Sequence, residues 1–223
     1  MTHDLALENV AISLDGKPLV AVNTRIAPGE VLTLMGPSGV GKSTLLAHIA
    51  GFLAPSFEAS GRVLLNGQDL TKLPAQARRA GLLFQDPLLF PHLSVGGNLA
   101  FGLREKGSRR QRRERIEAAL ADIGLAGFFD RDPATLSGGQ RSRVALMRVL
   151  LSEPRAMLLD EPFSKLDTAL RDEMRRLVFE RVRSRRLPTL MVTHDQEDAN
   201  AAGGRVIELK AFRSCHGKDN LPY

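Results

Sequence analysis

The sequence predicts an α/β fold with a mainly parallel sheet, an N-terminal antiparallel β subdomain and a helical subdomain. Three observations support this class. Short apolar runs that end in polar or glycine-rich residues recur along the 223-residue chain between segments of helical pattern, as in parallel sheets buried on both faces. The first 35 residues alternate like strands around Asp15-Gly16, a hairpin signal. From about residue 86 to residue 150 the apolar spacing is helical.

Composition predicts one domain, 1–223, with the helical subdomain at about 86–150 and an aperiodic tail at 211–223. The one cysteine, Cys215, excludes an internal disulfide framework and a cysteine metal cluster, and it favours a reducing compartment. The N-terminus lacks the basic start and apolar core of a secretion signal. No apolar run approaches the roughly 18 residues that span a bilayer, so we expect membrane association only through a partner.

The net charge of +6 lies largely in two arginine-rich tracts, 104–115 and 171–186. The favoured interpretation is a solvated helix face. An acidic partner surface or lipid headgroups form the second interpretation, and nucleic acid the third. The chain has one Tyr and no Trp, so side chains that stack on bases are scarce.

The first elements are strands. Leu5 and Leu7 alternate with polar neighbours, and residues 62–66 form a similar strand that ends in the turn dipeptide Asn66-Gly67. Between them, the polar and proline-containing stretch 51–61 predicts a loop.

A phosphate-binding loop is predicted after the apolar run 31–35. Its sequence, GPSGVGKST, fits G-x-x-x-x-G-K-[ST], in which glycines let backbone N–H groups point at phosphate oxygens and the next helix adds its positive end. Lys42 supplies a mobile cation, and hydroxyls suited to Mg²⁺ follow. The alternative is a glycine turn without a ligand. The candidate residues are Gly36, Pro37, Ser38, Gly39, Val40, Gly41, Lys42, Ser43 and Thr44.

Polar side chains follow three further apolar runs, 82–84, 157–159 and 190–192. Because ligands of parallel sheets lie beyond the carboxyl ends of the strands, these side chains are expected to meet the same phosphates. They are Gln85, Asp160, Glu161 and His194. Of the two adjacent acids, one suits the Mg²⁺ hydration shell and the other the activation of a water, unless the pair merely begins a turn with Pro162.

Later helices are predicted from apolar spacing and terminal signals. The residues are Ile116, Leu120 and Ile123 before Gly124; Val144, Met147 and Leu151 after the capping box Ser137 to Gln140; and Leu170, Met174 and Leu177 after the N-cap Asp167.

The pentapeptide LSGGQ, 136–140, together with the phosphate loop, Gln85, the Asp-Glu pair and His194 in that order, closely resembles the ATP-binding cassette ATPases of ABC transporters. The resemblance covers about residues 3–210 and implies a P-loop NTPase core that binds ATP and Mg²⁺. It also implies that two cassettes pair head to tail in an ATP-dependent dimer. The signature residues of one cassette then contact the nucleotide of the other: Ser137, Gly138, Gly139 and Gln140.

The same resemblance implies a role for each remaining residue. Glu161 corresponds to the catalytic base and His194 to the switch histidine at the γ-phosphate. Asp160 and Gln85 correspond to magnesium-linked residues beside Ser43, and Gln85 also counts as catalytic. Asp167 corresponds to the acid of the loop that joins the two sites.

Residues 84–103 look like those of bacterial importer subunits for small solutes such as thiamine, iron, polyamines, sulfate or molybdate. This implies integral membrane permeases and a solute-binding protein as partners, no nucleic acid, and a peripheral location at the cytoplasmic face of the bacterial inner membrane. The alternatives are an exporter subunit, an ABC-type ATPase that acts on nucleic acid or ribosomes, and a non-hydrolysing ATP-dependent binding module.

Three features depart from the family pattern. Leu14 stands where an aromatic residue usually stacks on adenine, so base affinity is expected to be lower or less selective. Lys165 stands where a small residue is commoner, which bears on the dimer geometry. A regulatory C-terminal domain is not expected after His194.

Overall fold

The computed structural model describes residues 4–210, so Cys215 and the predicted tail lie outside the described residues. Four strands form an antiparallel sheet: β1 (Leu5–Leu14), β2 (Lys17–Ile26), β4 (Phe57–Leu65) and β5 (Gln68–Asp69), in the order β2-β1-β4-β5. Five strands form a parallel sheet: β3 (Val31–Met35), β6 (Ala80–Leu83), β7 (Ala156–Asp160), β8 (Thr189–Val192) and β9 (Val206–Glu208), in the order β6-β7-β8-β3-β9. The predicted fold class is confirmed.

The helices pack around these sheets. They are α1 (Lys42–Ala50), α2 (Ala75–Arg78), α3 (Val95–Gly102), α4 (Arg109–Ala121), α5 (Gly138–Leu151), α6 (Thr168–Ser184) and α7 (Gln196–Ala202), with a 3₁₀ turn at Pro133–Thr135. Within the predicted helical interval the first helix begins only at Val95, after a segment that contains Pro87 and Pro91. None of the helices among residues 4–210 combines the length and the apolar character that crossing a bilayer requires.

The parallel sheet is buried on both faces, as its continuous apolar strands predict. On one face Val31, Met157, Leu159 and Met191 join a core with α3 to α6. On the other face Leu32, Leu34, Leu158 and Leu190 join α1 and the antiparallel sheet. Each fully buried leucine stabilises the fold by about 2 kcal/mol through the surface that it removes from water. These two cores hold the strand ends in fixed register.

The hairpin at Asp15-Gly16 and the turn at Asn66-Gly67 are confirmed, and all four residues have positive φ, as a primed turn requires. The prediction of a loop over 51–61 is wrong beyond residue 56, because β4 already begins at Phe57, the partner of Leu14. Residues 58–62 of this strand are exposed on both faces, so this stretch lacks the buried apolar positions that mark a strand in the sequence. Gly61 allows the close pairing, since a Cβ there would lie 2.3 Å from the Asn9 carbonyl oxygen.

The predicted helix signals are also present. Gly51 ends α1 in the left-handed region, Ser137 begins α5 with its capping box, and Asp167 begins α6 by accepting a hydrogen bond from the Leu170 N–H. Ser108, which was not predicted as an N-cap, begins α4 with a second capping box. The packing positions Ile116, Leu120, Val144, Met147 and Met174 are buried.

Candidate active site

The phosphate loop connects β3 to α1 at the carboxyl edge of the parallel sheet. Gly39 and Gly41 have φ of 82° and 93°, a region that favours glycine. A Cβ at Gly41 would also lie 2.8 Å from the Leu19 side chain. Val40 anchors the loop in the core, whereas Pro37, Ser38 and Gly39 are exposed. The chain therefore holds its backbone N–H groups in a curled, accessible segment before a helix N-terminus, which suits an anion.

Lys42 lies inside this loop and is 7% exposed. Its ammonium group donates hydrogen bonds to the carbonyls of Gly36, at 2.7 Å, and Pro37, at 2.9 Å. The charge is thus held among loop carbonyls beside the position that the sequence predicts for phosphates. A phosphate group would offer this ammonium stronger, charge-assisted bonds.

Ser43 connects the loop to β7, because its hydroxyl donates a 2.9 Å hydrogen bond to Asp160 Oδ1. Burial raises the pKa of Asp160, and adjacent Glu161 acts in the same direction, whereas the Ser43 hydrogen bond and Lys42 oppose the shift. A hydroxyl and a carboxylate side by side are hard oxygen donors of the kind that Mg²⁺ prefers. Among residues 4–210 no group of three His, Cys, Asp or Glu side chains forms a complete metal cage. The pair thus fits Mg²⁺, which binds proteins through few side chains and completes its shell with phosphates and water.

Glu161 and His194 meet at the ends of neighbouring strands β7 and β8, with His194 Nδ1 3.2 Å from Glu161 Oε1. Glu161 has a φ of 46°, which costs a non-glycine residue about 1 kcal/mol or more and is typical of functional sites. Its backbone N–H donates to the Val192 carbonyl at 2.9 Å, and its carbonyl accepts from the Ser164 hydroxyl at 3.0 Å. The turn after β7 is therefore fixed, with the carboxylate directed at an exposed imidazole.

An open cleft of ≈600 Å³ lies along this edge and is lined by Gly36, Pro37 and His194 together with Met35 and residues 208–210. Gln85 belongs to the same edge, since Leu83 on β6 pairs with Leu159 on β7 and each residue precedes its polar side chain by two positions. Gln85 is exposed. The structure thus brings together the loop and the strand ends that the sequence nominated.

The signature residues are placed elsewhere. Ser137 caps α5, with its Oγ accepting from the Gln140 N–H at 3.3 Å and its own N–H donating to Gln140 Oε1 at 3.0 Å. Ser137 and Gly138 are exposed, whereas a Cβ at Gly139 would lie 2.4 Å from Leu170 of α6. Within residues 4–210 no hydrogen bond or ion pair joins this segment to the phosphate loop.

Leu14 and Lys165, the two residues that depart from the family pattern, lie outside these contacts. Leu14 ends β1 and is 36% exposed, with Phe57 as its cross-strand partner. Lys165 forms an ion pair with Asp86, so the turn that follows Glu161 contacts the segment that follows Gln85. Sequence reasoning noticed Lys165 as unusual but not its partner, which is 79 residues away.

For the second basic tract, 171–186, the interpretation as a solvated helix face is wrong at one position. Arg175 is 5% exposed and pairs with Asp198, so it is not a solvated helix face at this position. Its partner lies on α7. The sequence feature that could have indicated its burial is the position of Arg175 on the apolar side of α6. In the first tract, Arg110, Arg113 and Arg115 form ion pairs with neighbouring acidic residues, in agreement with a solvated face.

A doubly covered parallel sheet with a glycine loop, a hydrogen-bonded serine–aspartate pair and a glutamate–histidine pair at one edge defines a P-loop nucleotide-binding protein. Comparison with known proteins specifies the class further. The family model described as ABC transporter matches residues 19–164, more than half of the chain. The chain therefore belongs to the ABC transporter family as an ATP-binding, ATP-hydrolysing domain.

Individual relatives agree. An uncharacterised ABC transporter ATP-binding protein of Escherichia coli K12, YnjD, is 49% identical over 96% of this chain and 99% of its own length. The Fe(3+) ions import ATP-binding protein FbpC 1 of Rhizobium meliloti is 46% identical over 83% of this chain and 52% of its own. The spermidine/putrescine import ATP-binding protein PotA of Mesoplasma florum is 42% identical over 92% of this chain and 58% of its own length. The chain thus spans little more than half the length of these two import proteins.

Among solved structures, cbiO1 from Clostridium perfringens, part of the ABC transporter complex cbiONQ, superposes with a TM-score of 0.81 at 32% identity. The match covers 94% of this chain and 86% of cbiO1. The P-loop core, the antiparallel sheet and the helical layer expected from the sequence are confirmed as one family architecture.

Proposed function

We propose that this chain is the ATP-hydrolysing subunit that powers import of a small solute through membrane permeases. The observation that carries the proposal is the convergence of the phosphate loop, the Ser43–Asp160 pair and the Glu161–His194 pair at one sheet edge. The relatives FbpC and PotA are named as import ATP-binding proteins, which supports import as the direction of transport. In this proposal the solute itself is recognised by the membrane and solute-binding subunits.

In this proposal residues 36–44 bind the ATP phosphates through backbone N–H groups, and Lys42 moves from the loop carbonyls to the β- and γ-phosphates. Ser43, Asp160 and Gln85 hold Mg²⁺, which when bound neutralises phosphate charge. Glu161 accepts a proton from the attacking water, since its carboxylate is only partly exposed and its turn is fixed. His194 contacts the γ-phosphate, and its imidazole lies within hydrogen-bond reach of Glu161. Leu14 makes apolar contact with the base.

A second cassette completes the site. Ser137 and Gly138 present an exposed helix N-terminus, which in the described part of the chain makes no hydrogen bond or ion pair with the phosphate loop. We infer that Ser137, Gly138, Gly139 and Gln140 contact the γ-phosphate bound to a paired cassette, with Asp167 at the junction of the two sites. Bound ATP then favours the closed pair and hydrolysis removes that preference, so the paired cassettes alternate between a closed and an open state.

The permease is proposed to dock beside Gln85. Phe84, Leu88 and Phe101 are large apolar side chains that are 43%, 55% and 70% exposed, and the Phe101 ring contacts Phe90 edge-on with centroids 4.7 Å apart. Such a patch next to a residue of the nucleotide site suits an apolar cytoplasmic segment of a permease. This partner places the chain peripherally at the cytoplasmic face of the inner membrane, with a solute-binding protein in the same complex.

Purification from gently solubilised membranes tests this function. A tagged chain is expected to bring with it a multi-spanning membrane protein in near-stoichiometric amount. A Phe84→Ser/Phe101→Ser variant removes two of the exposed apolar side chains. It is expected to lose that partner while it keeps ATP binding. Recovery with nucleic acid or ribosomal proteins in place of a membrane protein would favour the alternative class of ABC-type ATPase and reject the proposal.

A further inference from the structure

A buried charge network lies directly behind His194 and connects α6 to α7. We call it the α6–α7 brace; it consists of Arg171, Arg175, Thr193, Asp195 and Asp198. Sequence reasoning assigned none of these residues a part in the reaction. Two of them, Thr193 and Asp195, are the immediate neighbours of His194 in the chain.

The centre of the brace is the pair formed by Arg175 and Asp198. Arg175 Nε lies 2.7 Å from Asp198 Oδ1, and the two residues are 5% and 2% exposed. Arg175 Nη1 also donates to Asp172 at 2.9 Å and to Glu197 at 3.3 Å. Separating a buried ion pair leaves an uncompensated buried charge, so this pair favours one fixed placement of α7 against α6.

From this centre, hydrogen bonds reach both sides of His194. The Thr193 hydroxyl donates to Asp198 Oδ2 at 2.8 Å and accepts from the Asp195 N–H at 3.1 Å. Asp195 in turn accepts from Arg171 Nη1 at 2.9 Å and from the Glu197 N–H at 2.7 Å, so that it also caps α7. The backbone of His194 is therefore held between two anchored residues, although its side chain is exposed.

The brace also reaches the N-terminus of α6. This helix begins at its N-cap Asp167, and Arg171 donates to the Leu166 carbonyl at 3.1 Å while it binds Asp195. Arg171 therefore joins the residue before the Asp167 N-cap to the residue after His194 through a partly buried ion pair.

We propose that the α6–α7 brace positions His194 opposite Glu161, with Thr193 as the positioning residue through which it acts. The inference rests on the proposed function, in which His194 works at the γ-phosphate. The brace includes none of the residues proposed to bind ATP or Mg²⁺, so its loss is expected to lower the rate of hydrolysis and leave ATP binding in place.

Thr193→Val tests the proposal, because it removes the hydroxyl and keeps the shape of a fully buried side chain. We expect kcat to fall about tenfold, because a hydrogen bond that positions His194 is lost, with KM for ATP within about twofold. Thr193→Ser retains the hydroxyl and is expected to restore the rate. Thr33→Val is the matched control, since Thr33 is also fully buried, on β3, but its hydroxyl has no hydrogen-bond partner among the described residues.

A double-mutant cycle with His194→Ala separates positioning from general stability. In single-turnover hydrolysis, Thr193→Val is expected to cause no further loss once His194 is absent. An equal loss in both backgrounds, or wild-type kcat in Thr193→Val while His194→Ala is impaired, overturns the brace and leaves the proposed function standing. Full hydrolysis by His194→Ala overturns the proposed role of His194 and the inference with it.

Discussion

Replacement of Lys42 by alanine is expected to weaken ATP binding selectively. The ammonium group makes hydrogen bonds of 2.7 and 2.9 Å to two loop carbonyls, and nucleotide binding exchanges these neutral acceptors for charged phosphate oxygens. A hydrogen bond to a charged group contributes about 2–3 kcal/mol, so the dissociation constant for ATP should rise about 30- to 150-fold.

The assay is calorimetric titration of ATP into the purified protein at one fixed salt concentration. Lys42→Met retains most of the buried stem and separates loss of charge from loss of packing, since Lys42 is 7% exposed. Lys72→Ala removes an exposed lysine and should leave the dissociation constant unchanged. An ATP affinity in Lys42→Met equal to that of the wild type would refute the phosphate-loop reasoning.

Two further predictions concern Asp160 and Leu14. Because burial raises the pKa of Asp160, the charged carboxylate costs the folded protein stability above its folded pKa. Asp160→Asn should therefore raise the melting temperature of the nucleotide-free protein at neutral pH, while Mg²⁺-dependent hydrolysis is lost. The gain should fade as the pH falls through the raised pKa of folded Asp160 and be gone below the usual carboxyl pKa. A melting temperature lowered at neutral pH contradicts this. Leu14→Tyr should tighten ATP binding about two- to tenfold by ring stacking on the base, an effect absent with inorganic triphosphate. Equal gains for both ligands would contradict adenine contact at Leu14.

The convergence of the candidate site residues could be predicted from the sequence because these residues follow short buried strands in a fixed order. Once the strands are parallel, their carboxyl ends lie at one edge, and Lys42, Asp160, Glu161 and His194 converge without further information. The glycine loop added a second constraint, since its spacing admits few other structures.

The sequence did not predict features that depend on pairing between distant residues. The exposed half of β4 read as a loop because its strand character comes from pairing with β1 and not from apolar alternation. Arg175 read as a surface cation because its carboxylate partner lies 23 residues away on α7. The same holds for Lys165 and Asp86, whose contact depends on the packing of β6 beside β7.

Steady-state ATP hydrolysis by Glu161→Gln tests the central claim most directly. The amide keeps the size of the side chain but cannot accept the proton of the attacking water, so turnover should fall by a factor of about 10² or more with ATP binding retained. Glu58→Gln, an exposed position on β4, serves as the control and should hydrolyse ATP at the wild-type rate. Wild-type turnover in Glu161→Gln would contradict the assignment of Glu161 as the base and the catalytic site built around it.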